Sequence, residues 1–83
     1  PNPFNPTTTI NFTTKEAGNV NLTIYNIRGQ KVKTLVNDNL DAASHSVVWN
    51  GKDDNGKAVS SGVYFYKMQA GKYTSTKKMI LMK

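Results

Sequence analysis

At 83 residues, with 37% hydrophobic residues and no cysteine, the chain is sized for one small domain whose core must hold by packing alone, without disulfides or thiolate metal sites. No apolar run approaches the roughly 20 residues that cross a bilayer, which excludes a transmembrane helix, and nothing has the form of a signal peptide. The formal charge of +6 is uneven: through residue 54 five cations meet five acids, whereas beyond it Lys57, Lys67, Lys72, Lys77, Lys78 and Lys83 meet none. A basic terminal third fits attraction to an anionic surface, such as lipopolysaccharide, nucleic acid or an acidic receptor patch; it equally fits lysines that keep strand edges soluble.

In chain order, residues 1–6 (PNPFNP) form a proline-rich lead-in that cannot join the middle of a sheet, with Phe4 as its one anchor. Residues 7–14 alternate, placing Ile10 and Phe12 on one face, and predict the first strand. A turn at residues 15–19 leads to a second strand with Val20, Leu22 and Ile24 inward and Asn21, Thr23 and Tyr25 outward. Arg28, Gly29 and Gln30 have the form of a hairpin connection to a third, lysine-bearing edge strand at residues 31–36. Residues 37–44, polar but for Leu40, read as a surface crossing between sheets.

Residues 45–68 organise the rest. One strand carries Val47 and Trp49 on a shared face; the turn-formers Gly51, Asp53 and Gly56 then break it, residues 57–59 make a very short strand, and a second break ends at Gly62. Residues 63–68 form an aromatic strand with Tyr64, Tyr66 and Met68 together and Phe65 opposite. A tight hairpin at Gly71 leads into a last strand over residues 73–82. About seven short antiparallel strands without helical periodicity predict an all-β, immunoglobulin-like β-sandwich of two sheets. The expected core is Ile10, Phe12, Val20, Leu22, Ile24, Val47, Trp49, Tyr64, Tyr66 and Met68. The last strand departs from the pattern, because Met79, Ile80, Leu81 and Met82 are apolar on both faces and bracketed by Lys77, Lys78 and Lys83. A strand of this kind is covered on both sides or reserves one face for a partner, and it is read as an interaction segment.

Catalytic chemistry is thinly represented: one His, one Glu and no Cys, with His45 and its neighbour Ser44 pointing to opposite faces of an extended chain. The chain is therefore read as non-enzymatic, with no cofactor. Asp53, Asp54 and Asn55 lack calcium-loop spacing, since the twelfth position counted from Asp53 is Tyr64 rather than Glu, so no metal is expected. Trp49, Tyr64 and Tyr66 belong to core faces, which argues against a sugar platform and against nucleic acid; Phe65 is the aromatic placed for exposure.

Trp49-Asn50-Gly51, Asp53, Gly56, Ser61-Gly62-Val63-Tyr64 and Tyr66 resemble the type A C-terminal sorting domain of bacterial type IX secretion cargo. The lead-in, Ile24-Tyr25-Asn26, Gly29-Gln30-Lys31-Val32 and Lys78-Met79-Ile80-Leu81 agree, so the resemblance spans essentially the whole chain; Ala43 departs from the family's usual Gly. The related immunoglobulin-like domain of flagellar hook-cap proteins shares the Trp-Asn-Gly and Ser-Gly-x-Tyr features, a likeness of fold more than of function. The type IX resemblance implies a single sorting domain at residues 1–83, exported through the periplasm to the cell surface or medium. Its implied partners are the outer-membrane translocon, the cargo-shuttle protein, a sortase-like signal peptidase and anionic lipopolysaccharide. It places translocon recognition at Lys77, Lys78, Met79, Ile80, Leu81, Met82 and Lys83. A chain starting at Pro1 is expected to be a fragment of a larger secreted protein. Two alternatives stay open, a structural or carbohydrate-associated module of an extracellular enzyme and a hook-cap-like assembly domain.

Overall fold

The computed structural model describes residues 7–82, so the proline-rich lead-in with Phe4, and Lys83 at the other end, lie outside the described residues. Six strands form: β1 (Thr8–Thr13), β2 (Gly18–Asn26), β3 (Lys31–Leu40), β4 (Ser44–Trp49), β5 (Gly62–Ala70) and β6 (Tyr73–Leu81). They build two antiparallel sheets, one of β1 with β4 and one in the order β3-β2-β5-β6. The chain changes sheet after β1, after β3 and after β4, while tight hairpins join β2 to β3 and β5 to β6. This is an all-β sandwich, the class the alternation predicts.

Strict alternation explains why β2 sits centrally. Val20, Leu22 and Ile24 all point into the space between the sheets, where they meet Ile10, Trp49, Tyr64, Met68 and Leu81. Phe12, Val47 and Tyr66 pack half-buried against this cluster. Full burial of one such side chain contributes about 1.5–3 kcal/mol, so these few residues supply most of the driving force available to so small a domain. Trp49 is the largest of them, with no exposed surface. Its ring meets Tyr64 edge-on at 5.2 Å between centroids, and its indole N–H donates to the Lys52 carbonyl at 2.9 Å. The Tyr64 hydroxyl donates to the Ser60 carbonyl at 2.6 Å, a tyrosine-to-upstream-backbone bond like the tyrosine corner of immunoglobulin sandwiches.

Two local expectations are corrected. Residues 57–59 form no strand; they contribute a single antiparallel bridge, Lys52 to Ala58, because the preceding loop bonds its own backbone instead of offering a ladder. Residues 37–44 are not wholly a crossing. Asn37, Asp38, Asn39 and Leu40 extend β3 and pair with Asn21, Val20, Asn19 and Gly18, leaving residues 41–43 to change sheet.

That crossing is pinned by Thr14, a buried residue just past β1. Its N–H donates to the Ala43 carbonyl at 2.9 Å, its hydroxyl donates to the Asp41 carbonyl at 2.9 Å, and the Ala43 N–H donates back to that hydroxyl at 3.3 Å. His45 closes the corner, its Nε2 lying 2.9 Å from the same Asp41 carbonyl and its ring stacked on Phe12 at 5.2 Å. Replacing Thr14 by valine keeps the shape but removes the hydroxyl from this network. Urea unfolding is expected to register a loss of about 1–3 kcal/mol, and an unchanged midpoint would show that the corner contributes nothing to stability.

Candidate interaction surface

Register decides which side chains of the four-stranded sheet face away from the core. Tyr25 is opposed on one side to Lys31 and on the other to Phe65, and Phe65 in turn to Lys78. The result is a row, Lys31-Tyr25-Phe65-Lys78, running across all four strands on the outer face. Toward one end lies the pair Val63 and Ile80. The next row on the other side is Thr34-Thr23-Lys67-Thr76, and beyond it stand Asn37, Asn21, Gln69 and Thr74. The outer face thus has a basic, aromatic half and a neutral half of amides and hydroxyls. Thr23 is buried on this outer face; its hydroxyl donates to Asn21 Oδ1 at 2.6 Å, which satisfies it.

The last strand divides between the two faces. Leu81 is 2% exposed and belongs to the core, with Met79 half-buried against it, while Ile80 at 62% and Met82 at 77% face solvent. Lys77 pairs with Tyr66 on the core side of the sheet, and Lys78 pairs with Phe65 on the outer side. The segment singled out from the sequence is therefore not one contact surface. Met79 and Leu81 serve the core.

The two-stranded layer is narrower than the sheet it covers. Beside β1 it leaves a groove of about 460 Å³, floored by Met68, Tyr66 and Val20 and bounded by Phe12, Tyr73 and Lys77. This explains why Phe12 and Tyr66 remain half-buried and Tyr73 is exposed.

The turn residues hold the loop that follows β4. Asp53 Oδ1 accepts the N–H groups of Asn55 and Lys57, both at 2.9 Å, which commits that oxygen to shaping the turn. Gly51 and Gly56 take φ of 73° and 79°, a region that other residues enter only with strain. Gly29 and Gly71 serve the two hairpins, at φ of 80° and 61°, and Gly62 opens β5. The loop also reaches β3: the Asp54 N–H donates to the Val32 carbonyl at 3.0 Å, and Asp54 Oδ1 accepts the Thr34 N–H at 3.2 Å. Sequence reasoning assigned no turn role to Asn26, whose Oδ1 accepts the Arg28 and Gln30 N–H groups and whose own amide donates to Gln30 Oε1 at 2.9 Å. An Asn three residues before a turn Gly was the available signal.

Fold and motif residues together define an immunoglobulin-like β-sandwich in which Trp49, Gly51 and Tyr64 secure the joint between the layers. The sequence matches the family model of the FlgD Ig-like domain over residues 2–74, and the chain belongs to that family. Among solved structures it is similar to FlgD from P. aeruginosa, at 25% identity and a TM-score of 0.71, covering 90% of this chain and 59% of that one. It also resembles FlgD from Xanthomonas campestris, a protein described for hook capping essential for flagellar assembly. There the identity is 24% and the TM-score 0.71, with 93% of this chain and 56% of that chain covered, a likeness that speaks for the fold. The chain thus spans somewhat more than half the length of these relatives. No curated protein matches it.

These findings overturn the type IX resemblance. The matching family is the hook-cap immunoglobulin-like domain, so the sorting function falls, together with the translocon, cargo-shuttle protein, sortase-like peptidase and lipopolysaccharide as partners. The reading of residues 77–83 as a secretion signal falls with them. Carbohydrate association finds no support in the same relatives.

Proposed function

We propose that this domain is a non-catalytic assembly module of the hook-capping type, a rigid sandwich that positions its parent protein against other protein subunits at the cell surface. The observation that carries this reading is the FlgD Ig-like family match across residues 2–74. The hook capping described for the X. campestris relative supports it. The polar corner around His45 is consistent with a structural role, since its ring nitrogen is engaged with the Asp41 carbonyl and its ring face with Phe12.

The test is to delete residues 1–83 from the parent gene in its native host and examine the cells by electron microscopy, with the shortened parent followed by immunoblot. Cells that retain the shortened parent but lack hooks are the expected result. Hooks of normal number and length would overturn the reading.

A further inference from the structure

We propose that the outer face of the β3-β2-β5-β6 sheet docks an acidic polypeptide, whose carboxylates meet Lys31, Lys67 and Lys78 and whose apolar side chains settle on Tyr25 and Phe65. The proposal stands on this surface alone and not on the hook-cap reading, so normal hooks in the deletion strain would leave it intact.

Three observations carry it. The first is charge: none of the paired positions on this face holds a carboxylate. The acids lie off these positions, Glu16 in the β1–β2 turn, Asp38 opposite inward-facing Val20, Asp41 in the crossing, Asp53 in the loop after β4, and Asp54 at the β3 margin, where its Oδ1 accepts the Thr34 N–H. Within the face Lys31, Lys67 and Lys78 thus outnumber the single carboxylate at its margin, Asp54, and an acidic partner is drawn to it at long range. The second is the aromatic pair. Tyr25 and Phe65 are directly opposed and half-buried although no layer packs on that side among the described residues, and the exposed Ile80 extends the apolar strip beside them. Aromatic area is what the centre of a protein-binding patch carries, with charged side chains such as these lysines confined to its rim.

The third is the neutral half. Asn21, Asn37 and Gln69 offer donors and acceptors without charge, which suits polypeptide amides, whereas nucleic acid or an anionic bilayer would leave that half electrostatically unmatched. A second copy of the chain is disfavoured, because the same lysines would confront each other.

The experiment is amide chemical-shift mapping on the 83-residue chain, titrated with a synthetic peptide of about fourteen residues alternating Glu with Leu and Phe. Shifts centred on Tyr25, Phe65 and Lys78 are expected. Affinity should fall about tenfold when salt is raised from about 50 to 300 mM, and by a similar factor in K78E. Lys78 is exposed, so K78E should retain the dispersed spectrum of the folded chain; K31E, also at an exposed position, provides a second variant if it does not. A peptide with Gln in place of Glu binding equally well, or shifts centred elsewhere, would overturn the proposal. So would tighter binding of oligo-dT or of phosphatidylglycerol vesicles at the same amides, which would assign the face to a polyanion. Concentration-dependent shifts of these amides without peptide would assign it to self-association and overturn it equally.

Discussion

Replacing Trp49 by alanine is expected to lower stability by about 3–5 kcal/mol, the usual range for emptying a large aromatic site. A chain of 83 residues has roughly 4–12 kcal/mol in total, so the loss is a large share of it, and toward the low end of that range an unfolded population becomes visible without denaturant. The effect has two separable parts. One is the cavity left against Tyr64, whose ring meets the indole edge-on, and the other is the Lys52 carbonyl, which loses its indole donor. Trp49→Phe keeps an aromatic ring in the site while removing the donor and the smaller of the two fused rings, and should cost less than alanine, about 1–3 kcal/mol. Circular dichroism with urea reads both variants. A loss below about 1 kcal/mol in the alanine variant would mean that the joint between the layers does not depend on this residue.

The neighbouring pair on β6 offers the second large effect. Leu81→Ala should cost about 2–4 kcal/mol, because Leu81 lies in the core. Ile80→Ala, one residue away and largely exposed, should stay within about 0.5 kcal/mol of the parent. The contrast reports register directly, since a slip of one residue exchanges the two faces. Equal losses, or the reverse order, would show that β6 does not pair with β5 as Gly62 to Leu81 and Tyr64 to Met79.

What the sequence discloses depends on whether local pattern or distant pairing decides the outcome. β2 is legible because Val20, Leu22 and Ile24 alternate with polar residues, and a half-buried strand requires that pattern. The end of β3 is not, since Asn37, Asp38 and Asn39 have turn-forming propensity and are held extended only by pairing with Asn21, Val20 and Asn19. β6 carries apolar residues on both faces, so alternation cannot orient Met79, Ile80 and Leu81; the ladder with β5 does.

The functional misreading has a physical origin too. Trp49, Gly51 and Tyr64, which carried the type IX resemblance, serve the sandwich: an indole bond to Lys52, a backbone at positive φ and a hydroxyl bond to Ser60. Residues that secure a fold are shared by every domain using it, and they say little about what the domain is for. The outer row Lys31-Tyr25-Phe65-Lys78 was hidden for the opposite reason, because its members are scattered over four strands and only the register brings them together.

The latch between Asp54 and β3 bears on how the domain behaves when crowded. A sheet with two free margins is a bifunctional monomer, able to add a neighbour at each side and grow without limit. Here a strand approaching β3 must displace Asp54 from Val32 and Thr34, and farther along it meets the hydrophilic run Asn37, Asp38 and Asn39. Among the described residues β6 is left as the open margin of this sheet. Joining through that margin alone terminates at a pair, so copies held close together in an array extend through this sheet only where Asp54 is first displaced from β3.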